Sequence, residues 1–256
     1  MTKPNFSALA TSLLFLIPLA PCQASLIAHW TGDNTANDSS GNLHHGTLSG
    51  DTNYVTGVVG QAFSFDGNGD YVSVNPSASL EPSTISVTAW LKIPDQSRLR
   101  MVADSSHGSG KGWALQIRDT GSVSFAYGNG SAFPEVISVD TVDDDAFHHV
   151  AAVKDATTMT IYIDGMFDHS ISYVGTAAAS GLPVRIGSWL GGGRDLQGLV
   201  DDVRIYDNAL SASEVSSLAS AVPEPCSLLF FAFASVGIAI RQRRQQQVGN
   251  DRIRHS

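Results

Sequence analysis

The chain has 256 residues and a formal net charge of −9 at pH 7. Residues 25–225 alone hold 19 Asp and 4 Glu against 9 Lys and Arg, which is a net charge of −14. This acidity argues against a nucleic-acid or anionic-membrane partner, because both need surfaces rich in Lys and Arg. The 2 cysteines are Cys22 and Cys226, so the segment between them has no disulfide and must rely on its hydrophobic core.

The first 24 residues predict a secretory signal peptide. Lys3 gives a positive start, residues 13–19 form an apolar run, and Cys22-Gln-Ala24 is a small-residue cleavage site. The alternative is a first core strand. We therefore expect an exported chain whose mature form begins near Ser25.

The region from Leu26 to Ile186 contains about a dozen short segments of β-strand character, separated by turns rich in Gly, Asn and Asp. In the segment 85–93 the odd-numbered residues are apolar and share one face, whereas Trp90 lies on the other. Many short strands with tight turns and a single helix predict an all-β antiparallel sandwich.

The last strand and the only helix of this domain follow each other directly. Residues 199–206 alternate like a half-buried strand, with three apolar side chains predicted on one face: Leu199, Val203 and Ile205. Ser211 and Glu214 then have the spacing of a helix capping box. A short helix that buries Val215 and Leu218 is expected to close the domain, which we place at residues 25–220.

A second targeting signal lies at the C-terminus. Residues 221–225 form a linker with a Pro-Glu-Pro motif, residues 226–240 carry no charge, and residues 241–256 begin with an arginine cluster. We predict a transmembrane segment at 226–240 with a basic cytoplasmic tail after it. The apolar run is shorter than the ~20 residues that a spanning helix needs.

This order of Pro-Glu-Pro, apolar helix and arginines resembles the PEP-CTERM sorting tail. The resemblance implies transient anchoring in the inner membrane and processing by a membrane exosortase. It further implies release to the cell surface or the extracellular space. The alternative is an ordinary tail anchor.

Several short motifs resemble the LamG-like jelly-roll domains, relatives of the laminin G and concanavalin A folds. They are Asp38-Ser-Ser-Gly-Asn42, His45-Gly-Thr-Leu48, Phe65-Asp-Gly67 with Asp70-Tyr-Val72, and Asp201-Asp-Val-Arg-Ile-Tyr206 before Ala209-Leu-Ser211. The last strand of that family typically reads Ile-Asp-Glu-Val-Arg-Ile-Tyr, so Asp202 replaces the usual Glu. The resemblance covers residues 26–218 and implies a concanavalin A-like jelly roll.

The sequence lacks the groups that glycan hydrolysis requires. Glycanases need two carboxyl groups flanking the scissile bond, and the laminarinase-like Glu-x-Asp-x-x-Glu motif is absent. Glu81 and Glu135 lie beside prolines, Glu214 caps the helix, and Glu224 belongs to the Pro-Glu-Pro motif. We predict that the protein is not an enzyme; the alternative is a cryptic glycoside-active enzyme.

A ligand surface is predicted where two Gly-rich loops, residues 104–111 and 189–195, lie near tryptophans. A glycan groove needs an aromatic platform beside polar donors. The candidate ligand residues are Trp189, Arg194, Trp113 and Asp104. The alternative is that both tryptophans belong to the core.

The family resemblance implies one structural calcium ion where the first loop meets the last strand. Its candidate ligands are Asp33, Asp38 and Asn42 from the loop and Asp201 from the strand, since calcium prefers oxygen ligands. The alternative is that these side chains only form turns and surface contacts.

Together these features predict a secreted, non-catalytic binding module for extracellular polysaccharide. The glycan partner rests on analogy of fold, which hosts unrelated functions. The alternative is a structural or protein-binding surface module.

Overall fold

The computed structural model describes residues 25–220, apart from positions 96, 107 and 109. The predicted signal peptide, linker, transmembrane segment and basic tail lie outside the described residues. Within the described part, no helix has the length and apolar character needed to cross a membrane.

The described residues form fifteen strands, one short 3₁₀ helix (Ala78–Leu80) and one α-helix. In chain order the elements are β1 (Leu26–Trp30), β2 (Gly46–Ser49), β3 (Asn53–Thr56), β4 (Gln61–Asp66), β5 (Tyr71–Val74), β6 (Ile85–Lys92), β7 (Arg100–Asp104), β8 (Trp113–Ile117), β9 (Ser122–Tyr127), β10 (Glu135–Thr141), β11 (Phe147–Lys154), β12 (Thr158–Ile163), β13 (Met166–Ser172), β14 (Val184–Ile186), β15 (Gln197–Tyr206) and α1 (Ala212–Ser220).

The strands form two antiparallel sheets, which confirms the predicted all-β sandwich. The first sheet has the order β13-β12-β11-β6-β15-β4-β3, with β1 also paired to β15. The second has the order β10-β9-β8-β7-β14-β5-β2. Consecutive strands pair in part of each sheet, but β6 pairs with β11 and β15, and β14 pairs with β5 and β7, so both layers need strands from distant parts of the domain.

The core lies between the two sheets and follows the alternation of the sequence. In β6, Ile85, Val87 and Leu91 are fully buried in the main hydrophobic cluster. Trp90 points to the outer face, as predicted, where it contacts His149. Each fully buried aliphatic side chain contributes about 1.5–3 kcal/mol, so these side chains together stabilise the fold by several times that amount.

Strand β15 changes partner halfway along its length. It pairs with β4 over residues 197–200 and with β1 over residues 203–206, while β6 stays on its other side. The register shifts between Asp201 and Arg204, and Asp202 has a positive φ of 54°. This bulge places Val200, rather than Leu199, in the core with Val203 and Ile205. The predicted face of Leu199 is wrong because strict alternation takes no account of a bulge.

Helix α1 begins as predicted. The Ser211 amide donates to Glu214 Oε2 at 2.7 Å, and the Glu214 amide donates to Ser211 Oγ at 3.3 Å. Val215 is fully buried in a small second cluster, and Leu218 packs against the same cluster. The capping box therefore fixes the helix against the outer face of the first sheet.

Lys154 is buried between the sheets with only 2% of its surface exposed. Its Nζ donates to the Ser83 carbonyl at 2.7 Å and lies 4.1 Å from the centre of the Tyr173 ring and 5.3 Å from that of Tyr127. Burial lowers the pKa of this lysine, whereas the nearby Asp155 opposes the shift. Aromatic faces and carbonyls thus replace part of its hydration.

His149 is buried on the outer face of the first sheet, with 1% of its surface exposed. Its ring meets the Trp90 ring edge-on at 5.3 Å, and its Nδ1 has no hydrogen-bond partner. Burial, together with the positive charge of Arg204, lowers the pKa of His149 to about 4. The imidazole is therefore neutral in the folded protein at neutral pH.

This lowered pKa predicts an acid sensitivity that His149→Leu removes. The unfolded chain binds a proton near pH 6.5 and the folded chain only near pH 4. Stability is therefore complete above pH 6.5 and is lost as the pH falls, by about 2–3 kcal/mol on reaching pH 4.5. Denaturant unfolding at pH 7.5 and pH 4.5 measures this loss. His169→Leu, at an exposed position, is the control and should keep the wild-type difference; an unchanged difference in His149→Leu would contradict the prediction.

Candidate functional site

The open face of the second sheet carries a cluster of aromatic and basic side chains on β5 and β14. In β14 the flanking residues Val184 and Ile186 point into the core, so Arg185 points to the opposite face. Its guanidinium carbon lies 4.1 Å from the centre of the Tyr71 ring on β5. Arg185 is also the register partner of Asp104 on β7.

The loop of residues 187–196 lies across this face and adds a second arginine. Arg194 places its guanidinium carbon 4.4 Å from the centre of the Trp189 ring. Arg185 Nη1 donates to the Trp189 carbonyl at 3.3 Å. The two arginines therefore contact the same tryptophan, one through its ring and the other through its backbone.

The loop is fastened to the sheet by hydrogen bonds on both sides. The Met101 amide donates to the Arg194 carbonyl at 3.0 Å, and Arg100 Nη1 donates to the Asp195 carbonyl at 2.8 Å. Ser188 Oγ donates to Asp195 Oδ1 at 2.6 Å. These contacts hold Trp189 and its stacked arginine in a defined position.

Asp104 supports the loop from below rather than facing solvent. It is 0% exposed, and its carboxylate accepts hydrogen bonds from the Ser106 amide at 3.0 Å, from Ser106 Oγ at 2.6 Å and from the Leu190 amide at 3.4 Å. Burial raises the pKa of Asp104 to about 6, against the opposing effects of these hydrogen bonds and of Arg194. Of the predicted ligand residues, Trp189, Arg194 and Asp104 are thus gathered around one loop.

Trp113 lies elsewhere, which corrects its prediction as a ligand residue. It is fully buried in the main core, and its Nε1 donates to the Leu80 carbonyl at 2.9 Å. Trp113 is the register partner of Tyr127 on β9, another core residue. Since alternate residues of a strand share a face, the inward direction of β8 follows from Leu115 and Ile117.

Sequence reasoning missed Tyr71 and Arg185. A signal for Arg185 was present, because a single charged residue between Val184 and Ile186 must point away from the core. Its stacking on Tyr71 depends on the pairing of β5 with β14, which no local pattern reveals.

A second group of polar residues lies where β15 changes partner. Asp33 Oδ1 accepts a hydrogen bond from the Gln61 amide at 2.8 Å. Asp201 Oδ2 accepts from the Val58 and Val59 amides at 2.8 and 2.9 Å. The turn between β3 and β4 therefore holds both carboxylates.

Asp201 Oδ1 is buried without a hydrogen-bond partner, and Gln61, whose backbone amide binds Asp33, also has its side-chain Oε1 buried without a partner. Asp201 is 0% exposed. Burial raises its pKa to about 6; the amides of Val58 and Val59 oppose the shift, and the negative charges of Asp202 and Asp33 add to it. Unpaired buried oxygens carry a free-energy cost, and a hard cation is a chemically suitable partner for them.

Asp38 and Asn42 perform a different task. The Asp38 carboxylate accepts hydrogen bonds from the amides of His29, Ser40 and His44, and the Asn42 amide group donates to the Ile27 carbonyl. The described residues contain no group of three or more His, Cys, Asp or Glu side chains placed to hold a metal ion. The four predicted calcium ligands are therefore not gathered together, and only Asp33 and Asp201 share one turn.

The family of the chain follows from a sequence comparison. Residues 66–216 match the Laminin_G_3 family, described as the concanavalin A-like lectin/glucanases superfamily. The protein belongs to this family, and its two-sheet sandwich agrees with that assignment. No curated protein sequence matches the chain.

Several solved structures share this architecture. The binding domain of Paraclostridial Mosquitocidal Protein 1 has a TM-score of 0.66 at 18% identity over 76% of this chain and 52% of its own. Domain 4 of AbnA, an extracellular GH43 arabinanase from Geobacillus stearothermophilus, was solved in complex with arabinotriose; it has a TM-score of 0.64 at 21% identity over 77% of this chain and 98% of its own. The binding domain of botulinum neurotoxin serotype D has a TM-score of 0.64 at 18% identity, over 77% of this chain and 51% of its own.

The chain spans about half the length of the two toxin domains that it matches. At such low identity these likenesses establish the fold alone.

Proposed function

We propose that the protein is an exported, non-catalytic module that binds extracellular polysaccharide on the open face of its second sheet. The observation that carries the proposal is the cluster of Tyr71, Arg185, Trp189 and Arg194, which combines aromatic rings with hydrogen-bond donors on one face. Ligand sites combine aromatic side chains with a few polar groups that fix the orientation of the ligand, and here the rings hold the guanidinium donors in place. The arabinotriose bound to the AbnA domain supports a glycan as the class of ligand.

The glutamates of the described residues favour binding over hydrolysis. Glu81 is buried and accepts hydrogen bonds from Ser105 and Gly181. Glu135 forms an ion pair with Arg118 at 3.0 Å, and Glu214 closes the helix cap. Each of these carboxylates has a structural partner, whereas a glycosidase needs two facing a cleft.

A protein partner is the second candidate function. Three apolar side chains on the edge strands β10 and β13 are strongly exposed: Val139 at 73%, Met166 at 71% and Phe167 at 62%. An exposed apolar patch is typical of a protein-binding surface. It lies on different strands from the arginine-bearing face, so the two functions are separable by mutation.

The two terminal signals support a route for the protein. After export the Pro-Glu-Pro tail would anchor it transiently in the inner membrane, an exosortase-type enzyme would remove the helix, and the domain would reach the cell surface or the medium. The same sequence order supports this proposal: linker, uncharged segment and arginines.

A structural calcium ion is proposed for the turn that joins Asp33 and Asp201. Asp33, Asp201 and the side-chain oxygen of Gln61 would be its protein ligands. The ion would neutralise two neighbouring carboxylates and tie the first loop to the last strand. The unpartnered oxygens of Asp201 and Gln61 support it.

Replacing Trp189 tests the polysaccharide site. Trp189→Ala removes the ring under Arg194, so we expect loss of polysaccharide binding with a thermal midpoint within a few degrees of wild type. Phe167→Ala, an exposed aromatic on the first sheet, is the matched control and should bind normally. Binding is measured by glycan array and calorimetry. Normal affinity in Trp189→Ala would contradict the proposal, and loss of binding only in Phe167→Ala would place the polysaccharide on the first sheet instead.

Calcium removal tests the proposed ion. Because an ion that binds only the folded state stabilises it by RT ln(1 + [L]/Kd), or ~2.7 kcal/mol at a hundredfold excess over Kd, a chelator should lower the melting temperature. Asp201→Asn should abolish this response, and Asp207→Asn, an exposed control, should retain it. A melting temperature that is insensitive to chelator in the wild type would refute the site.

Intact-mass measurement tests the targeting signals. Exported protein from an exosortase-containing cell should begin near Ser25 and end close to the Pro-Glu-Pro motif at 223–225. A mature product that retains residues 230–244 would show an ordinary tail anchor instead.

A further inference from the structure

We infer that the polysaccharide is anionic and that Arg185 and Arg194 bind its carboxylate or sulfate groups. This inference rests on the proposed polysaccharide site and specifies the chemical class of its ligand.

This face contains a larger share of basic residues than the domain as a whole. Residues 25–225 carry 23 acidic and only 9 basic residues. Three of the nine contact the loop 187–196 or belong to it: Arg100, Arg185 and Arg194. Asp104 and Asp195 lie in the same region, so it is the guanidinium groups of Arg185 and Arg194 themselves that would attract an anionic ligand.

Of the basic residues elsewhere in the described chain, Arg98 and Lys111 are exposed, whereas the others have partners or are buried. Arg118 pairs with Glu135 at 3.0 Å, and Arg204 pairs with Asp202 at 2.8 Å. Lys154 is enclosed by tyrosine rings. Among the described residues, by contrast, no carboxylate forms an ion pair with Arg185 or Arg194, although both are partly exposed.

Stacking prepares these two guanidinium groups for an anion. Each lies over an aromatic ring, Arg185 on Tyr71 and Arg194 on Trp189. The ring contacts fix the plane of each guanidinium; in Arg185 the Nε is buried and Nη1 donates to the Trp189 carbonyl, so Nη2 is the donor left for a ligand. A planar fork held in this way matches the two oxygens of a carboxylate or sulfate.

The surroundings of Trp189 argue against a neutral sugar as the main ligand. Gly191 packs so closely against the Trp189 ring that a Cβ at that position would lie 2.6 Å from ring carbons. The guanidinium of Arg194 lies on the same ring. The loop therefore presents a cation rather than a bare aromatic face, whereas a neutral sugar binds by stacking on an open ring.

The experiment compares matched charged and neutral polymers on the full chain. The probes are a polyuronate, the same polymer with its carboxyl groups reduced, dextran sulfate and unmodified dextran. We expect binding to at least one anionic polymer, weakened at high salt, and about tenfold or more weaker binding to its neutral counterpart. The anionic polymer that binds more tightly identifies carboxylate or sulfate as the preferred group.

Arginine variants test whether Arg185 and Arg194 contact the anionic polymer. Arg185→Gln and Arg194→Gln should each weaken anionic binding about tenfold, with thermal midpoints near wild type. Arg118→Gln is the matched control, because it removes one positive charge from the same sheet away from the loop. If Arg185→Gln fails to fold, Arg194→Gln, which lies in the loop, decides alone.

The outcomes separate this inference from the proposed function. Equal affinity for charged and neutral polymers would overturn the anionic ligand and leave the polysaccharide site standing. An equal loss in Arg118→Gln would overturn it too, because attraction would then depend on net charge alone. Binding to no polymer or glycan would refute the proposed function itself.

Discussion

The fold depends on one strand that has to satisfy three neighbours. Strand β15 keeps β6 on one side while its other side passes from β4 to β1. The bulge at the passage leaves two adjacent aspartates in the interior, and each binds a different element. Asp202 pairs with His29 on β1 and with Arg204, and Asp201 accepts amides of the turn between β3 and β4. The two carboxylates thus connect β15 to β1 and to the turn between β3 and β4 at the position where β15 changes partner.

A second set of buried polar contacts connects the interior to the proposed ligand face. Glu81 accepts hydrogen bonds from Ser105 and Ser180, which lie on segments that flank the second sheet. Ser105 follows Asp104, whose carboxylate accepts the Leu190 amide of the 187–196 loop. The loop is therefore supported by buried hydrogen-bonded carboxylates, while Arg100 Nε and Arg185 Nε are buried without a partner. Hydrogen-bonded polar networks of this kind hold side chains in a defined arrangement. A site of this kind binds without first having to be ordered, so less binding free energy is lost.

The sequence predicted those parts of the molecule that depend on neighbours in the chain. The alternation of β6, the outward direction of Trp90 and the Ser211–Glu214 cap were all confirmed, because each follows from a local period or spacing. The bulge at Asp202 was not predictable in this way, since it arises from the competition of β4 and β1 for the same strand. The stacking of Arg185 on Tyr71 was not predicted for a related reason: it depends on the register of two strands that lie more than a hundred positions apart in sequence. Trp113 and Trp189 both lie near Gly-rich loops, and only the three-dimensional structure separates the core residue from the surface one.

The construction of the 187–196 loop has a consequence for how such a protein can diversify. Its ends are joined by a hydrogen bond from the Leu196 amide to the Gly187 carbonyl at 2.7 Å, so its base closes independently of its tip. At the tip, Gly192 and Gly193 are exposed and have open space where a side chain would begin. Both have positive φ values, of 77° and 79°, so a new sequence there would need glycine or asparagine, or a different tip length. Ligand specificity can therefore change through a few residues at the tip of this loop, while the sandwich and its core stay the same.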